Sequence, residues 1–252
     1  DERLELLRQE LIRKWRNSTQ DTPYIQLMRE VGLLLNTTAW QPARLADELE
    51  KLDFSTFRQY VKTIFNGASL ELLASGNLQA EEVKVLAQLL SEQLASGNPA
   101  DWLPRGIARV APGEKINAPM SIPHKDAGIL RYYQGRDDSV AEAARFMFLR
   151  QLIKSPFFHE LRTEQQLGYV VAAVDQGLER VPGFGLLVQS PSAPLSRLEQ
   201  AINQFLDSYA EQLAAMPAEE FERHRASILT GLTEKPKSLA EQSGRFWTSI
   251  DL

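Results

Sequence analysis

Five of the thirteen prolines, Pro99, Pro104, Pro112, Pro119 and Pro123, fall within 25 residues near the middle of the chain. Proline has no backbone donor and fixes φ, so no long helix crosses this stretch. It is either a linker or a set of edge-like strands, and it places a domain boundary near Arg105. The 252 residues suit one large domain or two modest ones. With 43% apolar and 24% charged residues, the chain has the composition of an ordinary globular protein.

Before the prolines the pattern is helical. Leu4, Leu7, Leu11 and Trp15 recur at steps of three and four, the spacing of one helix face. Thr22-Pro23 and Gln41-Pro42 open two further helices. Asp53 or Ser55 caps another, which Asn66-Gly67 ends. Ser69 to Ser75 reads as a strand, and Glu81 to Leu94 as a helix.

Beyond Arg105 the strand candidates are Ile107 to Ala111, Ile116 to Ile122 and Gly128 to Gln134. Asp138 or Ser139 caps a helix running to about Ile153. Ser155-Pro156 then starts a short separate helix that Gly168 terminates. Tyr169 to Ala173 and Gly183 to Gln189 are β-rich, with Asp175 to Pro182 as the loop between them. Two long amphipathic helices follow, Leu195 to Ala215 and Ala218 to Thr233, and Ser238-Leu-Ala-Glu241 is a capping box for the last. Strands thus come in clusters separated by groups of helices. The expected class is α+β, with mostly antiparallel sheets packed against helices. LELLASGN with its following helix and FGLLVQSP with its own share a strand, a turn and a long helix. An internal duplication explains that, and so do two unrelated modules.

The chemistry is restricted. There are 28 Lys and Arg against 33 Asp and Glu, which gives no basic footprint for nucleic acid. No apolar run approaches the ~18 residues that span a bilayer. Without cysteine there is no disulfide, thiolate metal site or cysteine nucleophile. The three histidines, His124, His159 and His224, lie far apart. His159-Glu160 begins like a zinc helix of the His-Glu-x-x-His type, but Thr163 stands where the second imidazole belongs. No phosphate loop or nucleophile elbow is present. Glu219-Glu220 and Asp137-Asp138 sit at helix starts, where the helix dipole accounts for them. No metal ligands are assigned. Arg162 and Tyr169 lie on either side of a helix-stop-strand corner. A guanidinium fork and a phenol so placed would present donors toward an oxyanion or a peptide carbonyl, with Phe157 and Phe158 nearby; an Arg at a helix end and a Tyr opening a strand are equally commonplace without any such role.

The run PFFHELRTEQQLGYVV, through Phe158, Leu161, Arg162, Thr163, Gln166, Leu167, Gly168 and Tyr169, resembles a stretch in the C-terminal half of the pitrilysin/insulysin family of zinc metallopeptidases. LLASGNL and LTEKPKSLAEQSGRFW resemble two further family stretches in the same order, so the likeness covers most of the chain. The lack of cysteine and the bacterial character of the sequence point to the family's bacterial members. The resemblance implies four related α+β domains in two halves that close around a peptide chamber. This chain would be a C-terminal fragment: residues 1–105 the latter part of the third domain, incomplete at its N-terminus, and residues 106–252 most of the fourth, incomplete at its C-terminus. Both ends of the chain fall inside helical patterns, as a fragment's would.

The family's inverted zinc motif is absent. Zn2+ would therefore be bound outside this chain, and the fragment alone is expected to be inactive. The implied role is the non-catalytic C-terminal half of a zinc metalloendopeptidase that degrades peptides, in the periplasm. Arg162 and Tyr169 would contact the substrate and the transition state opposite the metal, and Phe158 would line an apolar pocket. The implied partners are peptides and the N-terminal half of the same polypeptide, not nucleic acid or membrane. The alternative is a structural or binding subunit of the same fold without peptidase activity.

Overall fold

In the computed structural model, residues 2–65, 70–94 and 106–251 are described. Contacts divide the chain into two compact units that alternate along the sequence. One comprises Asp1–Ile12, Ala46–Pro104 and Glu234–Leu252; the other comprises Arg13–Leu45 and Arg105–Thr233.

The first unit is helical. It holds the start of α1 (Glu2–Asn17), most of α3 (Pro42–Lys51), then α4 (Phe54–Thr63), α5 (Ala80–Leu94) and α9 (Leu239–Asp251). The caps form as the side chains dictate. The Asp53 carboxylate accepts the backbone N–H groups of Ser55 and Thr56 at the start of α4. Ser238 accepts the Glu241 N–H, while Glu241 reaches back to the N–H of Lys237. The strand expected at Ser69 to Ser75 does not form: residues 70–75 carry no regular structure. Leucine favours neither helix nor strand, and no described segment pairs with this run. The duplicated strand-turn-helix pattern thus has only its second copy among the described residues.

The second unit contains the sheet. β1 (Ala127–Gln134), β2 (Val170–Asp175) and β3 (Gly183–Ser190) form a three-stranded antiparallel sheet in the order β1-β3-β2. β3 lies in the middle and all eight of its residues are buried. The register pairs Gly128 with Gln189 on one side and Val170 with Gln189 on the other. Side chains alternate across the pleat, so the two faces of β3 have different roles.

Phe184, Leu186 and Val188 face the main core, where they join Ile153, Phe157, Leu161, Leu198, Ile202 and Phe205. These come from α6 (Val140–Phe158), the turn after it, and α7 (Leu195–Ala214). The opposite face carries Gly128 and Gln189 and is covered by α2 (Pro23–Leu35). A Cβ at Gly128 would stand 3.0 Å from both Pro23 and Leu27. The α+β expectation is met, with helices on both faces of the sheet in this unit. α8 (Ala218–Thr233) packs against α6, bringing Phe148 and Phe221 to 4.8 Å between ring centroids.

Three local expectations are corrected. Ile107 to Ala111 and Ile116 to Ile122 are not strands; only an isolated bridge joins Ile107 to Asn36. Pro112, Pro119 and Pro123 interrupt the donors that a ladder needs. The helix does not end near Ile153 and restart at Pro156. It runs unbroken to Phe158 and widens into a π-helical turn at His159–Glu164. Pro156 cannot donate to the preceding turn, and the helical hydrogen-bond pattern changes just beyond it. The described remainder of the proline-rich stretch, from residue 106 onward, is mainly irregular. The boundary residue Arg105, Pro99, Pro104 and the Asn66-Gly67 stop lie outside the described residues.

Candidate functional site

The corner predicted to hold the site is built on two buried anchors. Phe157 and Leu161 are both fully buried and stand four residues apart on the inward face of the α6 rod and its π turn. Phe158 and Arg162, each one residue later, are turned outward together: Phe158 is 47% exposed, and Arg162 is exposed as well. The Leu167 N–H then donates to the Leu161 carbonyl at 3.0 Å, which closes the corner. Arg162 makes no hydrogen bond or ion pair with any described residue, so its guanidinium is free to meet a ligand.

The chain leaves the turn at Gln166, which has a left-handed φ of 51°, and not at Gly168. Gly168 serves a different purpose. A Cβ there would fall 2.0 Å from the backbone oxygen of Gln189, so only glycine lets this loop lie against the end of β3.

Tyr169 is half exposed, and its hydroxyl is not idle. It donates to Asp126 Oδ2 at 2.7 Å. Gln189 Nε2 donates to the same carboxylate oxygen at 2.8 Å and also to the Tyr169 hydroxyl. Gln189 is fully buried, and its Oε1 accepts the backbone N–H of Tyr24, at the start of α2, at 3.0 Å. His124 Nδ1 accepts the Asp126 N–H at 3.0 Å.

Asp126 directly precedes β1, Tyr169 directly precedes β2, and Gln189 is the penultimate residue of β3. The network therefore sits where both outer strands begin and the middle strand ends. The hydrogen bond from Tyr169, then that from Gln189, holds the Asp126 carboxyl below the usual carboxylate range. In return the hydrogen bond to Asp126, with some burial, raises the Tyr169 phenol above its ordinary value near 10. The ground-state structure thus keeps the phenol protonated and its proton directed inward.

Sequence reasoning found Arg162, Tyr169 and Phe158 but not Asp126 or Gln189. The available signal was Gln189 itself, a polar residue inside an otherwise apolar strand run. Such a residue must find partners once buried.

The residues present do not fit a zinc site. His159 Nε2 lies 3.2 Å from Glu164, His124 is turned to its own loop, and His224 lies 3.9 Å from Glu220 on α8. Thr163 follows His159 by four residues, where a second imidazole would be needed. Among the described residues no group of three or more His, Cys, Asp or Glu converges as a metal site would require. None of the described helices is long and apolar enough to cross a membrane.

Comparison with known proteins bears on the same segment. A family model for the PQQ synthase PqqF-like, C-terminal lobe domain 4, matches residues 148–247, a stretch that includes Phe158, Arg162 and Tyr169. The A-factor-processing enzyme of Saccharomyces cerevisiae is 29% identical over 264 residues, covering 100% of this chain and 25% of that enzyme. Protease 3 of Salmonella typhi is 30% identical over 197 residues, covering 77% of this chain and 20% of that protease. The crystal structure of pitrilysin has a TM-score of 0.83 at 19% identity, covering 100% of this chain and 27% of that one. The resemblance is to the pitrilysin/insulysin family. The expectation drawn from PFFHELRTEQQLGYVV is borne out, and the fold is that of pitrilysin. The chain spans about a quarter or less of the length of these pitrilysin/insulysin relatives.

Proposed function

We propose that this chain is a non-catalytic, substrate-contacting part of a metalloendopeptidase, in which residues 1–105 and 106–252 belong to the third and fourth of four related domains. Arg162 and Tyr169 contact the peptide and its transition state, and Phe158 offers apolar surface to a neighbouring side chain. The Zn2+ that the resemblance implies would be held outside this chain, in the N-terminal half of the same polypeptide. Its role there would be to polarise the carbonyl and activate water. A periplasmic location belongs to the same reading.

The observation that carries the proposal is the free, exposed guanidinium of Arg162. Its backbone is anchored by the buried Leu161, and its planar fork offers several donors at once to a carbonyl or oxyanion. The test is Arg162→Ala in the peptidase that carries this chain. kcat/KM for peptide cleavage is expected to fall by about 10²-fold or more, the scale of losing an oxyanion donor. Tyr169→Phe, which removes one hydroxyl, costs less. Unchanged cleavage by Arg162→Ala removes the proposal.

One observation favours a second reading, a structural or binding subunit without peptidase activity. The Tyr169 hydroxyl already spends its proton on Asp126. If the network is only a clamp between strand ends, Tyr169→Phe lowers thermal stability and leaves peptide cleavage and binding untouched.

A further inference from the structure

We propose that Asp126 and Gln189 are positioning residues that turn the Tyr169 hydroxyl into a hydrogen-bond acceptor for a backbone N–H of an extended peptide, leaving the donor role to Arg162. The inference rests on the reading of Arg162 and Tyr169 as substrate contacts.

A phenol has one proton to give and two lone pairs to offer. At Tyr169 the proton is held by Asp126, and one lone pair takes the Gln189 N–H. The second lone pair is the hydroxyl's remaining capacity, on a side chain that is 51% exposed.

The orientation of the Gln189 amide follows from its neighbours. Its Nε2 lies against both Asp126 and Tyr169 as donor, and its oxygen takes the Tyr24 N–H. Reversed, the amide would set oxygen against carboxylate and N–H against N–H, so only one orientation satisfies all three partners. Because Gln189 is fully buried, an unsatisfied alternative would carry the full desolvation cost.

Asp126, with its side chain 11% exposed, is likewise held inward and remains ionised as the acceptor. The three groups come from three strand ends fixed by the sheet register, so the hydroxyl's direction is set before any ligand arrives. An extended peptide presents N–H and C=O groups on opposite sides of successive units. An acceptor just before β2 and a free guanidinium on the turn ahead of it are the two kinds of group that such a backbone needs, whatever its side chains.

Three measurements test the inference in the peptidase that carries this chain. In the first, 13Cζ-labelled tyrosine is followed by NMR through alkaline titration, with Tyr169→Phe assigning the resonance. Asp126→Ala is expected to move the Tyr169 midpoint downward, toward the ordinary phenol value; an unmoved midpoint overturns the positioning. In the second, Asp126→Ala and Tyr169→Phe each lower kcat/KM by about tenfold, the scale of one hydrogen bond, and the double variant loses no more than either single one. Additive losses overturn the claim that Asp126 acts through Tyr169. In the third, single non-scissile amides of a peptide substrate are replaced by esters. One replacement should weaken cleavage in the wild type and not in Tyr169→Phe, and the lack of any such position overturns the acceptor role. A shifted NMR midpoint with undiminished cleavage in both variants would instead overturn the functional reading on which the inference stands.

Discussion

The two units of this chain treat the apolar residues of their helices differently. In the sheet-containing unit, apolar residues of α6 and α7 build a core: Ile153, Phe157, Leu198, Ile202 and Phe205 are buried against the inner face of β3. In the helical unit, α1, α4 and α5 contribute no buried residue, and Leu6, Leu7, Val85, Leu86 and Leu89 remain exposed. A hydrophobic period therefore announces a helix without announcing a core. What distinguishes the units is a buried central strand for the helices to pack on, and the candidate site stands on the unit that has one.

The largest expected effect tests this contrast directly. Phe157→Ala removes a fully buried ring that meets Phe205 at 5.2 Å between centroids, and should destabilise the sheet-containing unit by about 3–5 kcal/mol. Chemical denaturation followed by tryptophan fluorescence or circular dichroism measures it; a loss under about 1 kcal/mol would mean the core is not the discriminating feature. Leu161→Ala comes next, at about 2–5 kcal/mol. It should also blunt peptide cleavage, because Leu161 anchors the turn that carries Arg162.

A smaller effect is set by pH. Glu142 is almost fully buried at the start of α6, where it accepts the Arg136 N–H and pairs with Arg136 and Arg145. These contacts hold its carboxyl at about 2. A carboxyl depressed by folding stabilises above its ordinary value near 4.5 and loses that contribution as pH falls toward 2. The Tm of the sheet-containing unit should therefore drop through that window, and Glu142→Gln should flatten the drop while lowering the Tm at neutral pH. Smallest of all, Leu89→Ala on the exposed face of α5 should change stability by no more than about 0.5 kcal/mol in the same denaturation experiment. A large loss there would show that the helical unit has a core of its own.

What could be read from the amino acids follows the same division. Helices declared by local chemistry were legible almost to the residue: Pro23 and Pro42 at helix starts, and Asp53, Ser139 and Ser238 as caps. β2 and β3 were legible because Val170-Val171 and the run from Phe184 to Val188 have no competing helical period. Leu70 to Ser75 misled because a strand needs a partner, and leucine carries no preference of its own. Pro156 reads locally as the start of a new helix, whereas the rod absorbs it and changes pitch just beyond.

Arg162 and Tyr169 stand out in the sequence as candidates because seven residues and a corner relate them. Asp126 does not, since it meets Tyr169 across 43 residues and Gln189 across 63. Only the sheet register brings them together, and no local pattern encodes register.

The close pass of Gly168 over the end of β3 has a consequence for anyone randomising this loop. With a backbone oxygen 2.0 Å from where the first side-chain carbon would go, a saturation library at that codon should return a single amino acid. Neighbouring Thr163 and Glu164, both exposed, should accept many, which makes position 168 the natural internal control for any deep mutational scan of the region.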